Sequence, residues 1–195
     1  MKIKPAPLKG TVVVELGSKD VALLRPMPFE IRRIVVPVDF SETAIKALQY
    51  AVPFAAAFDA EVVLVHVTQT FSVPVELGYL PPDLIGTQQE LMNSARIGLR
   101  KLGAAEIGDR VRSQVMVREG VAWQEIVAAA HETNADLIIL ATHGYTGVKH
   151  ALLGSVAERV VRLAPCPVLV VRERERDFIS RPPKARSRST DSKQR

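Results

Sequence analysis

An acidic residue, Asp39, directly follows the first strongly apolar run of the chain and precedes the first helical pattern. A carboxylate at the end of a strand, beside the start of a helix, accepts hydrogen bonds from sugar hydroxyls or helps to hold a metal ion. The alternative is that Asp39 or the nearby Ser41 only caps the helix and satisfies its free N–H groups. These residues alone leave both interpretations open.

Two glycines and a serine mark a second segment of this kind. Gly144 lies in a short loop after another apolar run, and Gly154 and Ser155 open a helical pattern after nine intervening residues. Glycine lets the backbone approach a ligand closely, and the free N–H groups of a helix start favour phosphate. The loop and the helix start would then hold one polyphosphate. The alternative is a pair of turn glycines with a serine cap.

Other nucleotide-binding patterns do not occur in the sequence. It contains neither G-x-x-x-x-G-K-[ST] nor G-x-G-x-x-G, which excludes the P-loop and dinucleotide-binding readings. The first apolar run is not followed by a Ser-Gly-Gly phosphate loop, which weighs against an adenylating or amide-forming enzyme. We also find no paired carboxylates and no base beside a nucleophile at the phosphate segment, so we expect at most slow turnover.

Five short apolar runs alternate with four helical patterns through the middle of the chain. We predict strands at 34–38, 62–67, 111–117, 137–140 and 168–171 and helices at 42–58, 87–102, 122–133 and 155–163. Strands that are apolar throughout are typical of a parallel sheet covered on both faces. The sequence therefore predicts an α/β fold with an open five-stranded parallel sheet, doubly wound and Rossmann-like. Ligands of such sheets bind outside the carboxyl ends of the strands.

The chain divides into three zones by composition. Residues 1–30 form an N-terminal extension, in which the apolar runs 11–16 and 21–24 around a turn-rich tetrapeptide predict a β-hairpin; a disordered extension is the alternative. Residues 31–171 form the α/β domain. Residues 172–195 form a basic tail that is too polar to order itself. The tail holds nine basic and four acidic residues, which accounts for the whole net charge of +5.

The charge balance limits the kinds of partner that we expect, and the cysteine usage indicates the cellular compartment. The first 171 residues carry 17 charges of each sign, so nothing in the domain predicts a nucleic-acid groove. For the basic tail, one interpretation is weak, salt-dependent contact with nucleic acid. The alternative is that the tail is only solvated. A single cysteine, Cys166, no apolar run of 18 residues and no secretory signal pattern predict a cytoplasmic protein that does not span a membrane.

The order of these segments resembles the universal stress protein family. The matching pieces are residues 34–42 (IVVPVDFSE), 65–67 (VHV), 136–140 (DLIIL), 142–147 (THGYTG), 153–158 (LGSVAE) and 164–171 (APCPVLVV). The resemblance implies a fold like that of the adenine nucleotide alpha hydrolases and, in the nucleotide-binding members, an ATP site. The family motif is Gly, two residues, Gly, nine residues, Gly, then Ser or Thr. This chain matches it except that Ala141 replaces the first glycine.

Carried over residue by residue, the resemblance implies a base and sugar side and a phosphate side of the site. The base and sugar side consists of Pro37, Val38, Asp39, Val67, Leu140 and Ala141. Asp39 would meet the ribose, Val67 would offer its backbone to adenine, and Ala141 would flank the sugar. The phosphate side consists of His143, Gly144, Gly154, Ser155 and Val156, with Mg²⁺ or Mn²⁺ held mainly by the phosphates. His143 would touch phosphate or only orient the loop.

The sequence thus predicts a stress-response regulator that binds ATP and a divalent cation and acts as a nucleotide-dependent switch. The resemblance also implies a homodimer through the apolar edge strand Val168–Val171, and an unidentified regulatory protein as partner. The alternative is a dimeric regulatory or scaffold protein of the same fold that binds no nucleotide. We interpret His66 as an imidazole that is satisfied within an apolar strand, and Cys166 and Trp123 as packing residues.

Overall fold

The computed structural model describes residues 2–5, 12–15, 30–69, 82–142, 153–173 and 179. The chain divides into two compact units, Met1–Glu30 and Ile31–Arg195. The larger unit contains the sheet and all four helices of the described residues. Within those residues, no helix is long and apolar enough to cross a membrane.

The larger unit is built on a five-stranded sheet. Its strands are β3 (Arg33–Pro37), β4 (Glu61–Thr68), β5 (Ser113–Glu119), β6 (Leu137–Ala141) and β7 (Val168–Val171). They lie in the order β5-β4-β3-β6-β7, and every neighbouring pair is parallel. All five carboxyl ends therefore meet at one edge of the sheet. This confirms the predicted fold.

Four helices connect these strands. They are α1 (Glu42–Phe58), α2 (Pro82–Glu106), α3 (Ala122–Glu132) and α4 (Ser155–Leu163). The first and last have the bounds that the sequence predicted, whereas α2 begins five residues earlier than expected. Proline is well tolerated at the first turn of a helix, where its missing N–H has no partner to lose, so Pro82 starts α2 instead of preventing it.

The helices cover both faces of the sheet because the strands alternate their side chains. Ile34 and Val36 of β3 pack in one core with α1 and α2, and Val35 between them packs in the other core with α3 and α4. All three side chains are fully buried. A strand that is buried on both faces must be apolar throughout, which is the pattern that predicted the parallel sheet.

The smaller unit contains an antiparallel strand pair. Strand β1 (Lys2–Pro5) pairs with β2 (Val12–Glu15), and Lys2 lies opposite Glu15. The sequence predicted instead that this apolar run would pair with 21–24, which lies outside the described residues. The observed register sets residues of opposite charge directly across from each other, an arrangement that favours pairing. The alternating pattern of Lys2–Pro5, in which Ile3 stands between two lysines, was the signal that we missed.

Candidate functional site

The strand order creates one topological switch point, between β3 and β6. From β3 the chain passes to α1 on one face of the sheet, and from β6 it passes to α4 on the other face. The two strands are direct neighbours, with Val35 paired to Ile138. Connections that leave in opposite directions open a crevice at the carboxyl edge, where ligands of such sheets bind.

The sequence-predicted site residues divide into those that reach this edge and those that the structure does not describe. Pro37 ends β3 and Val38 directly follows it, Val67 is near the end of β4, and Leu140 and Ala141 end β6. His143 and Gly144 lie outside the described residues. The side chains of Val38 and Leu140 are buried in the cores at 3% exposure, so only their backbones can face the crevice.

The Asp39 carboxylate is fixed by the start of α1. Its Oδ1 accepts hydrogen bonds from the Ser41 N–H at 3.0 Å and from the Ser41 hydroxyl at 2.6 Å. The Ser41 Oγ in turn accepts from the Ala44 N–H at 3.1 Å and caps the helix. Capping and ligand binding were the two alternatives for this pair, and the structure shows the capping. Ser41 caps, and Asp39 holds Ser41 while remaining half-exposed at the edge.

Phe40, between these two residues, has a left-handed backbone. Its φ is 64°, in the region that a bulky side chain avoids, and such a residue costs on the order of 1–3 kcal/mol. The Phe40 ring lies 4.9 Å from the ring of His66, whose Nδ1 is 2.7 Å from the Val38 carbonyl oxygen. The imidazole is thus satisfied, as expected. These contacts over-determine the turn and hold Phe40 in its strained conformation.

Removal of the Ser41 hydroxyl tests this network. We expect Ser41→Ala to lower the free energy of unfolding by about 1 kcal/mol, because α1 loses its cap and Asp39 loses one donor. Chemical denaturation followed by circular dichroism measures the change. Ser41→Thr keeps a hydroxyl and serves as the control. Equal stability of Ser41→Ala and the wild type would show that the cap contributes nothing.

The start of α4 lies across the switch point from this turn. The Gly154 N–H donates to the Thr142 carbonyl at 2.8 Å, and the Thr142 N–H donates to the Val171 carbonyl at 2.9 Å. Thr142 itself is buried, with 3% of its surface exposed. The end of β6 and the beginning of α4 are therefore joined by this hydrogen bond.

The first turn of α4 presents backbone N–H groups that no side chain of the described residues caps. Gly154 is the N-cap, with φ −68° and ψ 151°, and the first helical bond runs from the Glu158 N–H to its carbonyl. Ser155 and Val156 follow and are exposed. The N–H groups of a first turn have no partner within the helix and, with the helix dipole behind them, attract anions.

Helix α3 has the same feature but a different setting. Its N-cap, Val121, also provides no side-chain cap. It follows β5, the outermost strand on that side, so its start does not border the switch point. Among α1, α3 and α4, the helices whose N-cap residues the structure describes, only α4 combines an uncapped start with a position at the crevice. α1, on the opposite side of the crevice, is capped by Ser41.

Ala141 keeps an ordinary backbone at the position where the family motif has glycine. It is the last residue of β6, paired with Val171, and it is not among the described residues with positive φ. The extra methyl group therefore causes no backbone strain, as expected for a residue that ends a strand.

Outside the crevice, Arg118 and Cys166 interact with structural neighbours. Arg118 of β5 donates to Glu125 and to Glu132 of α3, both at 2.7 Å. The hydrogen bond to Glu125 raises the pKa of Arg118 above its usual value. Burial, with Asp136 nearby, raises the pKa of the Cys166 thiol, so the thiol stays protonated at neutral pH and is a poor nucleophile.

Trp123 joins the two helices on one face of the sheet. It packs against the core formed with α3 and α4, and the Arg159 guanidinium lies 5.4 Å from the centre of its ring. This agrees with its interpretation as a packing residue. Across the described ranges, no group of three or more His, Cys, Asp or Glu side chains is arranged to hold a metal ion.

Comparison with known proteins identifies relatives over most of the chain. The model of the universal stress protein family matches residues 30–172. Universal stress protein MJ0531 of Methanocaldococcus jannaschii is 36% identical over 151 residues, which cover 75% of this chain and 85% of that protein. Universal stress protein MJ0577 of the same organism is 32% identical over 157 residues, which cover 73% and 96%.

Solved structures agree with these sequence matches. The structure of MJ0577 superposes with a TM-score of 0.65 at 30% identity, over 76% of this chain and 100% of that one. Universal stress protein UspA from Lactobacillus plantarum superposes with a TM-score of 0.61 at 26% identity, over 74% and 100%. The region that matches is the α/β unit with the crevice.

Proposed function

This chain belongs to the universal stress protein family, and from that premise we propose that it binds ATP with a divalent cation at the switch point. Binding would serve regulation in the cytoplasm, as a nucleotide-dependent switch in a stress response, with little or no turnover. The observation that carries the proposal is the uncapped start of α4, joined to the end of β6 and bordering the same crevice as Asp39.

The phosphate half of the proposal rests on α4. The N–H groups of Ser155 and Val156 begin the helix, both residues are exposed, and Gly154 has no Cβ to obstruct an approaching phosphate. The Ser155 hydroxyl is a further donor. In this proposal His143 and Gly144 complete the phosphate side, and the phosphates supply most of the ligands of Mg²⁺ or Mn²⁺.

The sugar and base half rests on the ends of β3, β4 and β6. Asp39 accepts from Ser41 through Oδ1 and is half-exposed at the edge, and a carboxylate is a suitable acceptor for ribose hydroxyls. Val67 would meet adenine through its backbone. Pro37 would line the floor of the crevice beside Ala141. Val38 and Leu140 would contribute only their backbones to this floor, because their side chains are buried.

Replacement of Asp39 tests this function. We expect Asp39→Asn to weaken ATP binding about tenfold, because a hydrogen bond to a charged acceptor contributes about 1.5–3 kcal/mol and an amide is a poorer acceptor. The asparagine oxygen can still accept from Ser41, so the turn is kept. Isothermal titration with ATP and Mg²⁺ measures the affinity.

The control for this variant is Glu42→Gln. Glu42 is exposed in the first turn of α1, so this change removes the same charge close by but outside the crevice. We expect its ATP affinity to equal that of the wild type. No heat from the wild type at millimolar ATP would favour the regulator that binds no nucleotide. Equal affinities of both variants would remove Asp39 from the site.

Members of this family are commonly dimeric, and we propose that two copies of this chain pair along β7. This strand is one edge of the sheet. Its apolar residues Val168, Leu169 and Val170 are only half-buried, and Val161 and Leu163 of the adjacent α4 are 44% and 51% exposed. A second copy would cover this apolar surface and continue the sheet.

A further inference from the structure

A glycine in the interior of α2 packs against the turn that carries Asp39. If Gly98 had a Cβ atom, that atom would lie 3.1 Å from Cζ and 3.2 Å from Cε1 of the Phe40 ring. Such distances are tighter than ordinary carbon contacts, so the ring would have to shift by a few tenths of an ångström. Gly98 is 58 residues from Phe40 in the chain.

The Phe40 ring explains why residue 98 is glycine, whereas the backbone conformation of Gly98 does not. Gly98 has no positive φ, so its conformation does not require glycine, and glycine in a helix interior is less stable than alanine. Two other glycines of α2 lack such a neighbour. Gly86 would have no atom within 4 Å of an added Cβ, and Gly103 would have only the Leu64 Cδ1 at 3.4 Å.

The ring position and the Asp39 carboxylate are coupled through one short turn. Phe40 has φ 64° and is 40% exposed, and its ring lies between Gly98 and His66. Asp39 and Ser41 are the residues on either side of it, and the two hydrogen bonds from Ser41 to the Asp39 carboxylate both span Phe40. Any shift of the ring that rotates the Phe40 backbone therefore turns the Asp39 carboxylate relative to β3.

We propose that Gly98 is a positioning residue for Asp39: the space that it leaves for the Phe40 ring sets the direction of the carboxylate and thereby the selectivity of the site for an intact ribose. This inference rests on the proposed function, in which Asp39 meets the sugar. It adds a residue of α2, a helix that contributes no ligand-contacting residue to the proposal above.

The test compares ATP with 2′,3′-dideoxy-ATP, which lacks the hydroxyl groups that Asp39 would read. Titration calorimetry with Mg²⁺ gives both affinities. We expect the wild type to prefer ATP and Gly98→Ala to bind ATP about tenfold more weakly, the effect of losing one hydrogen bond to a charged group. Its affinity for the dideoxy nucleotide should stay unchanged, because the phosphate side is untouched.

Two matched variants control for the change of helix propensity. Gly86→Ala and Gly103→Ala make the same substitution in the same helix without reaching Phe40, so both should keep the wild-type preference for ATP. The gain in helix propensity is common to all three variants and favours their folding. Thermal unfolding followed by circular dichroism verifies that each variant is folded.

A double variant separates positioning from a merely structural effect. In Gly98→Ala combined with Phe40→Gly, no ring can be displaced, and glycine adopts φ 64° freely, so the preference for ATP should return toward the wild-type value. A wild-type preference in Gly98→Ala alone would overturn the inference. Equal weakening of both nucleotides, without recovery in the double variant, would also overturn it.

The outcome for the wild type distinguishes this inference from the function on which it rests. If the wild type binds both nucleotides equally well, ATP binding stands and the positioning of Asp39 for ribose is wrong. If it binds neither nucleotide at millimolar concentration, the proposed function fails, and the inference fails with it.

Discussion

A Gly154→Asp variant is expected to lose at least about a hundredfold in ATP affinity without losing stability. An aspartate at the N-cap would accept hydrogen bonds from the first turn of α4 and occupy the N–H groups that we assign to phosphate. Its charge would also repel the phosphates, and juxtaposed like charges cost several kcal/mol. The backbone of Gly154, with φ −68° and ψ 151°, accepts any L-residue.

Opposite effects on binding and folding make this variant diagnostic. Thermal unfolding should occur at the wild-type temperature or slightly above it, because aspartate is as good an N-cap as glycine or better. Titration calorimetry with ATP and Mg²⁺ gives the affinity. Gly154→Asn supplies a cap without the charge and should lose less affinity than Gly154→Asp. Unchanged ATP binding by Gly154→Asp would move the phosphates away from α4.

A Val170→Pro variant is expected to be monomeric and folded. The carbonyls of Pro167 and Val171 accept from Ile138 and Thr142, at 3.0 Å and 2.9 Å, so these residues of the β7 segment face β6. Residues of a strand alternate in direction, so Val170 points its N–H away from β6, toward the edge. Proline removes that donor without removing a bond to β6, and edge strands tolerate it.

Sedimentation velocity at micromolar concentration measures the result. Val170→Thr keeps the N–H and should remain a dimer, whereas Leu169→Pro removes a donor that faces β6 and should destabilise the fold itself. A Val170→Pro protein that still sediments as a dimer would show that the copies associate through another surface. A monomeric wild type would remove the dimer altogether.

The sheet and most helix bounds could be predicted because burial on both faces leaves a simple signal. A strand such as Val168–Val171 is apolar throughout, and α4 begins directly after Gly154 and ends before Pro165. Local composition fixes such elements. The start of α2 could not be placed in this way, because Pro82 is compatible both with an irregular connection and with the first turn of a helix.

The N-terminal strand pair shows a different limit. The strand at Val12–Glu15 was predicted, but its partner was not, since either neighbouring segment could supply it. Register and turn geometry decide which segment pairs with this strand, and here they place Lys2 opposite Glu15. An apolar run alone does not contain that information.

The candidate site also has features that could be predicted from the sequence and features that could not. Asp39 and Ala141 could be placed at one edge of the sheet because each directly follows a predicted strand, and parallel strands share their carboxyl edge. The left-handed backbone of Phe40 could not be predicted, since phenylalanine has no intrinsic preference for it and contacts from β4 and α2 stabilise it. Gly98 gave only the signal of a glycine within a helix.

Titration of the ¹⁵N-labelled wild type with ATP and Mg²⁺, followed through its backbone amide signals, tests nucleotide binding at the switch point most directly. We expect saturable shifts of the Ser155 and Val156 amides, at the start of α4, together with shifts of Val67 near the end of β4. If these amides stay unmoved at millimolar ATP, or if only residues far from the switch point respond, the carboxyl edge is not a nucleotide site.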